Sequence, residues 1–292
     1  MDAVGQGRSA HLLLYSPVRW AVLVIPIVAG CGDFSWSPAP TLFTVPLSVE
    51  GREVSPAILD TGGGFEVLLR EDFGLPILGD AEVLAFGGRE VVQLTSGFRY
   101  SAGGIETTAD FALVGVSTCD CNGLGYHFFR KTGIVLELDF RNRRSSFLNE
   151  VPKGDGPTIS FVSAPSSLTD FDTSFIVVDI GAGLEPPAPG QQLPVSALLD
   201  TGSTITAVRR SLVDSGEYAD LQRMDITIAH PQLGTLGANA VLFDTPDLPG
   251  IILGVDAMAA WGDRWYFSFS DQGGTVTVQS DKQTLDVNLP AR

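Results

Sequence analysis

The chain repeats one short pattern in one setting. Ala57-Ile58-Leu59-Asp60-Thr61-Gly62 returns 140 residues later as Ala197-Leu198-Leu199-Asp200-Thr201-Gly202. An apolar run that twice delivers Asp-Thr-Gly points to two half-sites built by internal duplication. If the half-sites face each other, two carboxylates meet at one point. At 292 residues the chain has room for two such halves, each with a core of its own.

The parallels extend beyond the tripeptide. Phe43, Val45, Leu47 and Val49 alternate with polar or small residues, the period of a half-buried strand. A turn at Glu50-Gly51-Arg52 then leads to the run ending at Asp60. Phe175–Ile180 is the matching strand of the second half, and it returns through a Pro- and Gly-rich loop, 184–190, into Leu193–Leu199. Phe43 precedes Asp60 by 17 positions and Phe175 precedes Asp200 by 25, so the insertion sits in the loop. Further on, Asn122-Gly123-Leu124-Gly125 corresponds to Ile251-Ile252-Leu253-Gly254. Each is followed by a short helix and a closing hairpin, the first from Ile134, Leu136, Leu138 and Phe140, the second from Trp265, Phe267 and Phe269 with Asp271–Gly274 as its turn. The reading is residues 41–150 as one half, 151–169 as a linker in which Thr158–Val162 can add a strand, and 170–292 as the other half.

Composition agrees with a β-rich globular chain: 33 Gly, 18 Pro and 44% hydrophobic residues. The net charge of −16 argues against a nucleic-acid partner, whose phosphates it would repel.

Asp-Thr-Gly followed by an apolar-apolar-Gly strand resembles the signature of aspartic proteases of the pepsin and retropepsin type, with the pattern covering roughly residues 41–292. The resemblance implies an all-β, bilobal acid-protease fold: two pseudo-symmetric, β-barrel-like halves with few short helices. Each half has about the size of a retropepsin-like subunit, so the chain resembles a fused dimer of such units, and a monomer is expected. Leu124-Gly125 and Leu253-Gly254 fill the place of the strand that threads the Asp-bearing loop.

The chemistry expected of such a site follows from its carboxyls. Water is a poor nucleophile and an amide a poor electrophile. Two carboxyls a few ångströms apart cannot both ionise easily, so one keeps its proton and the other loses it. The ionised one takes a proton from water while the protonated one polarises the carbonyl. Asp60 and Asp200 are the candidate catalytic pair, titrating as a unit. Gly62 and Gly202 permit a tight turn. The resemblance implies that Thr61 and Thr201 cross-bond to the opposite loop. Ser203 is placed to bond the outer oxygen of Asp200, whereas Gly63 has no such group for Asp60, so asymmetry is expected. The resemblance also implies a flap, a hairpin closing over an extended peptide. Phe86, Gly87 and Gly88, at a Gly-Gly turn after Val83-Leu84-Ala85, are the candidates; a counterpart around 232–237 reads as shorter.

The N-terminus reads separately. Arg8 and Arg19 precede an apolar stretch, 20–28, that is too short for an ordinary membrane-spanning helix. Val28-Ala29-Gly30-Cys31 resembles the bacterial lipobox, in which the cysteine is lipidated and becomes the first residue. That makes 1–30 a signal peptide, Cys31 the lipid-bearing residue and 31–40 a tether. A plain secretory signal with an incidental Cys31 is the bland alternative. Removal of 1–30 takes away one acid and two bases, leaving −17. The resemblance implies an extracytoplasmic, membrane-anchored protein; Gly32 points to the periplasmic face of the outer membrane if the host has two membranes.

The remaining cysteines, Cys119 and Cys121, read as a local disulfide or two inert thiols before a metal site. With His127 and His230 read as helix-start, surface or loop residues, a serine triad or zinc site has little support, and neither metal nor cofactor is expected. The expected function is an aspartic endopeptidase acting on peptides or proteins. The alternatives are a catalytically silent peptide-binding lipoprotein of the same fold, and a dimer formed by exchange of halves.

Overall fold

The computed structural model describes residues 20–23, 42–85, 88–115, 121–165, 174–184, 193–212, 222–244 and 248–280. Strands dominate, and the two α-helices, α1 (Tyr126–Thr132) and α2 (Val255–Trp261), have seven residues each. Among the described residues the strands form one sheet of ten and one of eleven.

The alternation that opens the first half becomes a strand with one buried face. In Thr44–Val49, Val45, Leu47 and Val49 point inward while Thr44 and Pro46 stay exposed. Glu50 and Gly51, both with positive φ (48° and 75°), make the two-residue turn into Arg52–Leu59. Both residues of such a turn need positive φ, and glycine supplies it at low cost at the second. The matching hairpin of the second half pairs Ser174–Leu184 with Leu193–Leu199.

The sheets do not follow the division of the sequence into halves. The closing hairpin of the first half, Val135–Asp139 with Arg144–Leu148, belongs to the second sheet. It joins that sheet by antiparallel pairing of Val135–Asp139 with Arg264–Ser270, from Val135↔Ser268 to Asp139↔Arg264. The linker is also partly structural, because Thr158–Pro165 pairs with Gly273–Gln279 on one side and Ser174–Leu184 on the other. The two closing hairpins thus lie side by side and tie the lobes together.

Aromatic packing reinforces that junction. Phe129 on α1 stacks on Phe269 of the second half at 5.1 Å, and Phe269 stacks on Phe267 at 6.2 Å. The fully buried Trp265 donates its indole N–H to Met258 O of α2 at 3.0 Å. One continuous apolar core therefore runs through both halves, from Phe43 and Leu59 to Leu199 and Val278. At the rim of the junction Arg264 meets Asp139 at 3.2 Å, where exposure keeps the worth of the pair below about 1 kcal/mol.

A second, smaller core lies beneath the hairpin Ile77–Ala85 and Gly88–Thr95. It comprises Phe65, Leu68, Ala81, Val83, Val92, Leu94 and Leu113. The outer edge of Ile77–Ala85 carries a short parallel strand, Trp20–Leu23, drawn from the apolar stretch near the N-terminus.

Candidate active site

Each Asp sits where a strand ends against a threading strand. Arg52–Leu59 delivers Asp60, and Asn122–Leu124 runs parallel beside its end, with Asn122↔Ala57 and Leu124↔Leu59. The Asp60 N–H donates to Leu124 O at 2.9 Å. In the second half Ile251–Leu253 runs parallel to the end of Leu193–Leu199, and the Asp200 N–H donates to Leu253 O at 3.0 Å. The glycine after each threading strand passes close to the opposing main chain. A Cβ at Gly125 would stand 2.2 Å from Phe65 O, and one at Gly254 would stand 2.5 Å from the main chain of Ile205.

The two loops are joined by reciprocal hydrogen bonds. Thr61 N–H donates to Thr201 Oγ1 at 3.0 Å, and Thr201 N–H donates to Thr61 Oγ1 at 3.2 Å. Each hydroxyl then donates across the junction, Thr61 to Leu199 O at 2.7 Å and Thr201 to Leu59 O at 2.6 Å. Both threonines are fully buried, so each bond satisfies a group that water cannot reach. Valine in place of either threonine would keep the shape and lose the two bonds of its hydroxyl; serine would keep the chemistry.

The glycines are placed crosswise. A Cβ at Gly62 would lie 2.6 Å from Asp200 Cγ, and one at Gly202 would lie 2.5 Å from Asp60 Cγ. Each carboxyl therefore rests on the bare backbone of the opposite loop. No side chain fits between them.

Burial dominates the electrostatics. Asp60 is 5% exposed and Asp200 is 0% exposed. Burial raises Asp60 to about 6; a hydrogen bond from Asp200 and N–H bonds from Gly63 and Gly62 oppose that rise. Asp200 is pushed well above the usual carboxylate range by burial, then by the charge of Asp60 and by donating to it, against N–H bonds from Gly202 and Ser203. Both carboxyls are raised, so the pair shares a proton and titrates as a unit. Asp60 Oδ1 and Asp200 Oδ2 receive no hydrogen bond from the described residues, which leaves two acceptor positions on the dyad.

The sequence expectations meet the structure unevenly. Asp60, Thr61, Gly62, Asp200, Thr201 and Gly202 come together as anticipated from the repeat. Ser203 does not act as expected: its hydroxyl donates to Ile205 O at 2.7 Å, and its main-chain N–H is what serves Asp200. Bonding to a neighbouring main-chain carbonyl is a common local alternative for serine. At Gly63 the space is already taken, since a Cβ there would stand 2.3 Å from Phe65 Cε1. His127 lies at the start of α1, one of the two places expected for it, and is buried, while His230 ends the strand Arg223–His230 instead of lying in a loop.

The hairpin proposed as a flap has its strands in place. Ala85 pairs with Gly88, so Gly88 starts the return strand; Phe86 and Gly87 lie outside the described residues. Its counterpart is not the shorter one. Arg223–His230 and Gly234–Phe243 have eight and ten residues, against nine and eight for the first hairpin. Cys121 is disulfide-bonded, whereas Cys31 and Cys119 lie outside the described residues.

Some supporting residues carry no signature in the sequence. Thr206 donates its N–H and hydroxyl to Asp256 at 3.0 and 2.7 Å, pinning the segment after Asp200 to α2. The same position in the first half is Glu66, bonded instead to Tyr100 and Lys131. Counting six residues on from each Asp locates both, though not their partners.

No family model matches the sequence, and no curated protein matches it either. Among solved structures, the aspartic proteinase from Irpex lacteus is similar with a TM-score of 0.52 over 83% of this chain and 95% of that one, at 9% sequence identity. At that identity the likeness concerns the backbone. The chain has the bilobal, all-β fold of a pepsin-like aspartic proteinase, with its two Asp-Thr-Gly loops meeting at the lobe junction.

Proposed function

We propose that the protein is an aspartic endopeptidase, hydrolysing peptide bonds with water activated between Asp60 and Asp200. The observation that carries the reading is the pair of buried carboxyls brought to one junction by reciprocal threonine bonds and bare glycine backbone. Burial that raises both carboxyls favours the singly ionised pair, in which the ionised carboxyl takes the proton of the attacking water while the protonated one donates to the scissile carbonyl oxygen. Collapse of the tetrahedral adduct then moves a proton to the leaving nitrogen. The substrate lies extended under the hairpin of Ile77–Ala85 and Gly88–Thr95, held by main-chain hydrogen bonds.

The silent peptide-binding alternative has no observation in its favour, since both carboxyls and both cross-bonding threonines are intact. Digestion of a peptide library by the wild type, Asp60→Asn and Asp200→Asn tests the choice. Cleavage by the wild type that is lost in both variants supports a shared dyad. Peptide binding without turnover from pH 3 to 8 would instead establish a binding protein.

The site of action belongs to the same proposal. A disulfide at Cys121 fits an oxidising compartment outside the cytoplasm. The lipobox-like Val28–Cys31 fits a lipid anchor. Fatty-acid labelling of the expressed protein, compared with Cys31→Ser, decides whether the anchor exists.

A further inference from the structure

Glu66 is a buried acid that the reaction above does not use. It is 1% exposed, six residues beyond Asp60. Oε1 accepts from the Tyr100 hydroxyl at 2.9 Å and from Lys131 Nζ at 3.1 Å. Oε2 accepts from the N–H groups of Asp110 at 2.8 Å and Phe111 at 3.4 Å. The donors come from the strand Arg99–Ala102, the segment ahead of Ala112–Val114, and α1. A buried carboxylate with four donors and one cationic partner is strongly localised.

That localisation reaches Asp60 through Phe65. The main chain of 63–66 is bonded to the start of α1: Tyr126 N–H to Gly63 O at 2.8 Å, His127 N–H to Phe65 O at 3.2 Å, and Gly125 N–H to Glu66 O at 3.1 Å. The Phe65 ring stands against Gly63, where a Cβ would be 2.3 Å from the ring and 2.8 Å from Asp60 Oδ2. Anchoring Glu66 therefore fixes the ring that abuts the turn carrying the Asp60 carboxyl.

The second half supports its Asp differently. Thr206 takes the place of Glu66 and donates to Asp256 through a main-chain N–H and a hydroxyl, both neutral donors. The two sides of the dyad thus stand on electrostatically different supports. We propose that Glu66 and Lys131 form a charged positioning pair for the Asp60 side, fixing Phe65 against the Asp60 turn and biasing the protonation of the dyad through their two opposed charges.

The pair does not act in isolation. Glu66, Asp110, His127, Arg130, Lys131 and Asp271 line one hollow of about 300 Å³, with Asp271 supplied by the second half. Lys131 also bridges to Asp110 at 3.0 Å and to Thr108 O. Tyr100 is held as a donor, its hydroxyl pushed far up by burial and by Glu66. Removing the Glu66 charge leaves the surroundings more positive and favours ionised dyad carboxyls. Removing the Lys131 charge does the opposite.

The proposal rests on the dyad reading, and its test separates the two. The carboxyl carbons of Asp60 and Asp200 are titrated by ¹³C NMR in the wild type, Glu66→Gln, Lys131→Met and the double variant, with peptide hydrolysis measured alongside. Glu66→Gln is expected to lower the midpoints by about half a unit or more and Lys131→Met to raise them by a similar amount. The double variant, which restores the wild-type net charge, returns them towards the wild type. Midpoints that stay put, or move the same way in both single variants, would overturn the proposal and leave the peptidase reading standing. Opposed shifts in a protein that cleaves nothing would uphold the pair and remove the peptidase reading. If Lys131→Met does not fold, Glu66→Gln is compared with the double variant, and equal midpoints in those two would overturn the proposal.

Discussion

Gly202 lies directly against the carboxyl of Asp60, so that a Cβ at position 202 would stand 2.5 Å from Asp60 Cγ and 2.6 Å from Oδ1. Gly62 stands in the same relation to Asp200. Neither residue adopts positive φ, so close approach and not backbone conformation demands glycine here. Gly202→Ala must push the Asp60 carboxyl away or separate the loops. The expected result is a loss of about 100-fold or more in kcat/KM for peptide cleavage, since a displacement near 1 Å costs that much. Steady-state kinetics on a folded Gly202→Ala sample checks it; activity within threefold of the wild type would mean that the carboxyls do not need this spacing.

The acid side of the pH profile follows from the burial of Asp60. With Asp60 raised to about 6 and Asp200 raised as well, the pair is doubly protonated at pH 4 and loses its first proton near 6. Water activation needs that ionisation. The acidic limb of kcat/KM is therefore expected near pH 6, with low activity at pH 3 to 4. A profile that peaks at pH 3 would mean that the dyad is more hydrated in solution than its burial implies.

The same shift has a consequence for stability, with a definite sign. The folded Asp60 binds its proton more tightly than the unfolded chain does, about 6 against 3.8. Its protonation therefore favours the fold below about pH 4, and this contribution is lost as pH rises through 6. At about 1.4 kcal/mol per unit the loss approaches roughly 3 kcal/mol at pH 7. Asp60→Asn cannot ionise and escapes it. The variant is expected to be more stable than the wild type at pH 7, with the gap closing by pH 4, as urea titrations at both values would show. A gap of equal size at both pH values would assign the difference to packing and not to ionisation.

Much of this was legible in the sequence because duplication writes the same instruction twice. Phe43–Val49, the Asp-Thr-Gly runs and the apolar-Gly strands each have a counterpart, and all became the expected elements. What escaped was pairing between distant segments. Nothing local in Val135–Asp139 says that it will pair with Arg264–Ser270, or that Thr158–Pro165 will join the second sheet. Such pairings are settled by which edges remain free after collapse. Side-chain choices are also local: the Ser203 hydroxyl took Ile205 O, two residues on. Nothing next to Glu66 in the chain marks it as buried; its partner Tyr100 comes more than thirty residues on.

Thr201 separates chemistry from shape in the lobe junction. Its hydroxyl accepts from Thr61 N–H at 3.0 Å and donates to Leu59 O at 2.6 Å, both in fully buried surroundings. Thr201→Val keeps the branched outline but leaves that N–H and that carbonyl unpaired, at about 1–3 kcal/mol for each orphaned group. Thr201→Ser removes one methyl group and keeps both bonds, at about 1 kcal/mol. The expected order of thermal stability is wild type, then Thr201→Ser, then Thr201→Val well below. Peptide cleavage should survive in Ser and fall steeply in Val, because the bonds that hold the loops also hold the carboxyls in register. Melting curves and kcat on the same preparations test both halves of that claim. Equal behaviour of the two variants would show that the methyl group, and not the hydroxyl, holds the lobes together.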